Sequence, residues 1–165
     1  MPNNNTKLNK SLSLKEAINK RQQLEKENKK VIFTNGCFDI IHAGHVTYLQ
    51  QAKDLGDYLI LGINSDSSVQ KLKGPNRPIV PQNERITVLS ALSMIDMIII
   101  FDESTPIALI KNIQPDVHVK GGDYIKEDLP EYPVIKSYGG EVYILPFVPG
   151  ASTTNIIEKI LINYK

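Results

Sequence analysis

Short apolar runs of strand length alternate along the chain with stretches of helical spacing. The strand signals are Val31-Ile32-Phe33-Thr34, Tyr58 to Ile63, Met97 to Phe101, Asp116 to Lys120 and Glu141 to Leu145. The second is nearly continuous in its apolar character, as a strand buried on both faces of a parallel sheet must be. Ser13-Leu14-Lys15-Glu16 forms a capping box that opens a helix running to about Glu27. Leu14, Ala17, Ile18, Arg21 and Leu24 share one side of it. Further helices are predicted from about His45 to Leu55, from Pro81 to about Leu92, from Thr105 to Asn112 and from Ser152 to Ile162. Pro81 suits a first helical turn, with Ile86, Leu89 and Leu92 facing inward. The remainder reads as irregular: a frayed tail over residues 1–10, a flexible basic loop from Lys71 to Pro81, and a mobile polar segment from Asp123 to Glu131.

Alternating strands and helices with short connections predict a three-layer α/β domain with a mostly parallel sheet. Residues 1–30 are expected to be a tail and a helix packed on the domain, and residues 31–165 the domain itself. Such a sheet places its site outside the carboxyl ends of the strands. The polar clusters fall there, at Gly36 to His45, Lys120 to Tyr124 and Pro149 to Thr154.

Composition narrows the class. Apolar residues make up 41% and charged residues 22% of 165, as in a globular protein. No apolar run reaches the roughly 18 residues of a membrane span, and no signal-type segment opens the chain, so the expected location is cytoplasmic, without membrane insertion. The net charge of +1 is uneven: residues 1–30 hold eight Lys/Arg against three Asp/Glu. The main body is acidic on balance, which argues against nucleic acid as a partner. The single cysteine, Cys37, excludes an intramolecular disulfide and a zinc site built on several thiolates; no protein-held metal is expected.

The densest chemistry is Asn35-Gly36-Cys37-Phe38-Asp39-Ile40-Ile41-His42-Ala43-Gly44-His45. His42 and His45 are three apart around a helix start, so both rings can face one way beside unsatisfied N–H groups and a positive dipole end. Gly44 lets a phosphate approach the backbone. Lys71, Lys73 and Arg77 supply cations on the basic loop, and Arg85 follows Glu84 on a helix where only one of the two can face the site. Lys120-Gly121-Gly122-Asp123 ends a strand with backbone groups suited to a base edge and a carboxylate suited to ribose hydroxyls. Ser152, Thr153 and Thr154 open the last helix as cap or phosphate ligands. Asn35, Asp39 and Asn64 add polar groups near strand ends, with Asp39 either ordering the first loop or touching a hydroxyl. Cys37 beside Phe38 reads as a small buried residue at an oxidant-sensitive position, and His118, between Val117 and Val119, as a structural histidine.

His42-Ala43-Gly44-His45, preceded by Gly36-Cys37-Phe38-Asp39, resembles the HxGH signature of the cytidylyltransferase-like nucleotidyltransferases. The longer run is similar to the adenylyltransferase domain of the bacterial heptose kinase/heptose-phosphate adenylyltransferases. Asn64-Ser65-Asp66, Leu72-Lys73-Gly74-Pro75, Arg77-Pro78, Glu84-Arg85, Val119 to Tyr124 and Pro149 to Thr154 extend that similarity over roughly Leu14 to Ile162. It implies a Rossmann-like nucleotidyltransferase fold and the conversion of D-glycero-β-D-manno-heptose 1-phosphate and ATP into ADP-heptose for lipopolysaccharide core. With no room for the kinase half, the expectation is a separately encoded adenylyltransferase.

The resemblance implies catalytic roles for His42, His45, Lys73 and Arg85. Phe38, Gly44, Lys120, Gly121, Asp123, Ser152, Thr153 and Thr154 would bind nucleotide, and Asn35, Asp39, Asn64, Lys71 and Arg77 the sugar phosphate. Mg²⁺ is expected to arrive with ATP, because the substrate is highly anionic and no carboxylates are concentrated into a metal cage. A homodimer is expected from the apolar stripe of the first helix and from the oligomeric habit of related nucleotidyltransferases. The competing readings are a polyol-phosphate cytidylyltransferase and a nucleotide-binding subunit without catalysis. Against the first, Phe147-Val148-Pro149-Gly150 stands where cytidylyl-transferring relatives often carry Arg-Thr-x-Gly. A dinucleotide oxidoreductase lacks its G-x-G-x-x-G loop here.

Overall fold

A computed structural model describes residues 9–146, 150 and 152–164. Five strands, β1 Val31–Gly36, β2 Tyr58–Asn64, β3 Met97–Phe101, β4 Val117–Gly121 and β5 Glu141–Leu145, form one sheet in the order β3-β2-β1-β4-β5. Every neighbouring pair is parallel, with Val31 beside Tyr58 and Ile32 beside Val117. Apolar side chains alternate between the faces along the central strands, and each face must therefore be covered. Val31, Phe33 and Ile60 enter one core with Ala17, Leu24 and Ile110, whereas Ile32, Leu59 and Leu61 enter the other with Leu49, Ala52, Ile86 and Leu89.

The first core is roofed by α1 Leu14–Lys26, α5 Ile107–Ile113 and α6 Tyr132–Ser137, the second by α2 Ala43–Lys53 and α4 Gln82–Ser90. Two further helices, α3 Asp66–Lys73 and α7 Thr153–Asn163, lie toward the carboxyl edge of the sheet. This is a Rossmann-like three-layer α/β fold. The chain order reverses at β1: the chain runs outward to β2 and β3, then crosses to β4 and β5. The crevice between the carboxyl ends of β1 and β4 is the topological switch point, where such sheets bind ligands.

Three sequence expectations change. Within the described part of the predicted tail, Lys10 is anchored: its carbonyl accepts from Ile98 N at 2.9 Å and its ammonium donates to the Leu92 and Ile95 carbonyls. Ser11 thereby extends the sheet beyond β3 as an isolated parallel bridge. The basic loop begins later than predicted, because α3 carries Lys71 and Lys73 on its last turn and ends at Gly74, whose φ of 97° favours glycine. The polar segment after β4 is partly ordered, with a 3₁₀ turn at Lys126–Asp128 and then α6. Ser13 caps α1 with the reciprocal Glu16 bond that the sequence predicts.

Candidate nucleotide-transfer site

A cavity of about 670 Å³ opens at the switch point. Its described lining comes mainly from the ends of β1, β2 and β4, the starts of α2 and α7, the end of α3 and the loop that follows it. Two helix N-termini thus meet one space, each with unsatisfied N–H groups and a positive dipole end. Lys73, Arg77 and Lys120 line it against one carboxylate, Asp39. A multiply charged anion is the ligand such a lining favours.

The connection from β1 to α2 is built around Phe38, whose φ of 48° is a left-handed conformation that costs a bulky residue about 1–3 kcal/mol. The turn buries the Phe38 ring against Gly36, where a Cβ would lie 2.9 Å from the ring. Phe38 then tilts against His45, with ring centroids 5.0 Å apart. His42, the N-cap of α2, makes no capping bond with its side chain; its ring stacks on His45 at 3.8 Å. Burial lowers the pKa of His42, and burial followed by the neighbouring His42 lowers that of His45 to about 4. Both rings are therefore neutral near pH 7, and each buried Nδ1 lacks a hydrogen-bond partner among the described residues. A neutral imidazole donates one hydrogen bond, and an anion beside it favours the protonated form.

Asp39 is 3% exposed and accepts from Ile79 N, Val80 N and Arg77 Nε at 2.5 to 2.9 Å. Burial alone would raise its pKa, but the Val80 and Ile79 amides and the Arg77 guanidinium outweigh it and leave the carboxyl below its usual range. The loop that Asp39 orders is the one from Arg77 to Val80, rather than its own loop after β1, and Asp39 also lines the cavity. Arg77 remains on the cavity wall in the grip of that carboxylate.

Arg85 differs from its expected role. It is 1% exposed, does not line the cavity, and donates to the carbonyls of Val80, Cys37 and Asn64 and to Asp66 Oδ1 at 2.6 to 3.1 Å. Three segments, the loop after β1, the β2–α3 junction and the loop before α4, converge on that one guanidinium, which holds them together from outside the cavity lining. Lys71 and Asp123 are exposed and outside the cavity lining. Lys73, Gly44, Gly121, Thr153 and Thr154 line it, as does Ser152, which also caps α7 by accepting from Asn155 N at 3.0 Å. Asn64 lines it too, although its amide donates to Ser68 Oγ at 2.9 Å. Asn35 accepts from the Lys120 ammonium at 3.2 Å. The segment Phe147-Val148-Pro149 lies outside the described residues.

Three participants escape a reading of the sequence. Tyr48 lines the floor, its hydroxyl donating to Val119 O at 3.0 Å and paired with Thr34 Oγ1 at 2.6 Å. Gly121 permits this, since a Cβ there would sit 3.1 Å from the Tyr48 ring. Glu131 meets Lys120 at 3.2 Å from the covered side of the sheet. Cys37 is half-buried and lines the cavity, rather than being a plain core residue; burial raises its thiol pKa against the pull of Lys73, Arg85 and Arg77. The helical spacing of Tyr48 behind His45 is visible in the sequence, but nothing there reveals what it meets. His118 is fully buried and stacked on Phe33 at 5.6 Å, far from any free surface.

Among the described residues no group of three or more His, Cys, Asp or Glu side chains is arranged to hold a metal, and no helix is long and apolar enough to cross a membrane. The sequence model of the Cytidylyltransferase-like family matches residues 33–159. The chain is 50% identical over 155 residues to the bifunctional protein HldE of Syntrophotalea carbinolica, covering 93% of this chain and 32% of that protein. It is 56% identical over 136 residues to HldE of Geobacter metallireducens, covering 82% and 28%. It thus spans about a third of the length of the relatives it matches. The crystal structure of the lipopolysaccharide core biosynthesis protein from Thermoplasma volcanium superposes with a TM-score of 0.58 at 28% identity, over 73% of this chain and 97% of that one. Matched along most of its length, with the HxGH histidines stacked at the switch point of its sheet, the chain belongs to the cytidylyltransferase-like family.

Proposed function

We propose that the protein transfers the adenylyl group of ATP to a sugar 1-phosphate, heptose 1-phosphate in particular, forming ADP-heptose and pyrophosphate. The observation that carries the reaction class is the stacked His42–His45 pair at the N-terminus of α2, inside a cavity of positive balance. The sugar rests on the similarity to HldE proteins and to a lipopolysaccharide core biosynthesis protein.

A phosphate monoester carries close to two charges near neutral pH, since its second pKa is about 6. Its oxygen is already a nucleophile, and no serine or cysteine activator is required. That oxygen attacks the α-phosphorus; the bond from the α-phosphorus to the bridging oxygen breaks, and pyrophosphate leaves with its electron pair. The protein's part is alignment and charge compensation. His42 and His45 donate to the triphosphate, with His45 nearest the developing charge. The opening turns of α2 and α7 hold phosphate oxygens, Lys73 and Arg77 close over the leaving group, the Lys120 ammonium meets a phosphate oxygen at the switch point, and the base lies by the backbone of Gly121. Asp39 is already saturated by three donors, so the lining residues suit Mg²⁺ that arrives on the triphosphate. The ion neutralises phosphate oxygens there.

The reaction belongs to the cytoplasm, where ATP is supplied. The protein acts as a homodimer, a reading supported by α7, which carries no buried residue and leaves Ile160, Leu161 and Ile162 at 50%, 58% and 75% exposure. Pyrophosphate release is the direct test of function. It should require ATP, heptose 1-phosphate and Mg²⁺ together; full release in a strong chelator, or none with any phosphorylated sugar or polyol, would refute the reading.

A further inference from the structure

Glu131 is 3% exposed, and a buried carboxylate is a costly thing to keep unless its charge is used. It stands at the N-cap of α6, yet its side chain makes no capping bond. The Glu131 Oε1 atom instead lies 3.2 Å from the Lys120 ammonium, while Oε2 is buried without a hydrogen-bond partner among the described residues. Stability alone would be served as well by an apolar residue of similar volume or by a capping side chain.

Lys120 stands at the end of β4, beside the crevice where the chain order reverses, and lines the cavity with a side chain 19% exposed. Its ammonium has three donors. One goes to Glu131 and one to Asn35 Oδ1 at 3.2 Å, from the end of β1. Asn35 lies on the cavity wall and Glu131 is buried outside the lining, which leaves the third N–H for a ligand in the cavity. A lysine head on four flexible bonds is a poor electrostatic donor unless something fixes it. Here two acceptors fix it.

We propose that Glu131 is a positioning residue for the transfer reaction: it holds the Lys120 ammonium at the switch point, aimed at the phosphate of the bound substrate. This rests on the nucleotidyl-transfer reading, which the wild-type protein tests by itself. Glu131 touches no substrate. It acts through Lys120, and a double-mutant cycle separates that from a structural role.

The experiment measures kcat and KM for Glu131→Gln, Lys120→Ala and the double variant, with thermal melting of each. Glu131→Gln should lower kcat about 10- to 100-fold, as a misplaced catalytic group does, with an unchanged melting temperature and a smaller effect on KM for ATP. Lys120→Ala should lose about 10²–10³ in kcat, the range for a lost electrostatic donor. On the Lys120→Ala background, adding Glu131→Gln should change kcat by no more than about twofold, since the group it positions is gone. Glu131→Asp, which keeps the charge, should recover part of the rate. Wild-type kcat in Glu131→Gln, or full additivity in the double variant, would overturn the proposal. So would loss of folding in both Glu131→Gln and Glu131→Asp, which would make the carboxylate a stability element. Absence of transfer by the wild-type protein would refute the reaction class instead.

Discussion

His45 and His118 show how one residue type serves two ends in a small domain. His45 borders the cavity, and His45→Ala should lower turnover about 10²–10³-fold with little change in melting temperature, the pattern of a donor used in the transition state. Equal turnover at saturating substrates, or an unfolded variant, would count against that role. His118 is buried in β4 with neither ring nitrogen paired among the described residues, and burial, then the nearby Lys120, lowers its pKa to about 3. Both histidines have folded pKa values below the unfolded value of about 6.5. Their contribution to stability is complete above pH 6.5 and is lost as the pH falls toward 4 for His45 and 3 for His118. The urea midpoint should therefore drop between pH 7 and pH 4, and His118→Leu should flatten that drop; a pH-independent midpoint would contradict it. Arg85 completes the residue scale: Arg85→Met leaves the carbonyls of Val80, Cys37 and Asn64 without this donor and should destabilise by on the order of 3 kcal/mol, with kcat falling only as the loop loosens.

The loop from Arg77 to Val80 is an element held from below. Asp39 grips its amides and Arg85 its last carbonyl, so two buried charges fix a segment with little apolar packing of its own. Asp39→Asn keeps the shape but weakens that grip; KM for ATP should rise about tenfold while the fold survives, and an unchanged KM would show that the loop does not close on the triphosphate. The elements the sequence made legible are those with a period to read. The strands Met97–Phe101 and Glu141–Leu145 match their predicted bounds, as does the capping box of α1. Helix α3 was hidden because Asp66 to Lys73 holds only Val69 and Leu72 as apolar positions, too few for a helical stripe against two lysines. The pairing of Ser11 with Ile98 and of Glu131 with Lys120 joins residues through folded structure rather than local spacing, and no local pattern signals it. The motif matches fix the histidines, Lys73 and the threonines of α7 in chain order, and the fold brings them to one cavity; Arg85 belongs to the same matches, but its direction depends on a core that spacing does not describe.

At the scale of the whole molecule, topology brings the chemistry together. The order β3-β2-β1-β4-β5 opens one crevice, and the residues after β1 and β4, some eighty positions apart in the chain, become its two walls. The body is acidic on balance, yet Lys73, Arg77 and Lys120 are gathered at that crevice with two helix N-termini. The exposed apolar face of α7 should be covered in a dimer, and a monomer mass in sedimentation at micromolar protein would contradict that. The central claim is that the α-phosphoryl group of ATP, with its nucleoside, is what moves. The most direct test supplies heptose 1-phosphate with ATP radiolabelled at either the α- or the γ-phosphorus and identifies the labelled products. The α-label should appear in a sugar nucleotide with the mass of ADP-heptose, and the γ-label in pyrophosphate. A γ-label found on the sugar, or an α-label that stays in ADP, would mean that the site transfers a terminal phosphoryl group and would contradict the account.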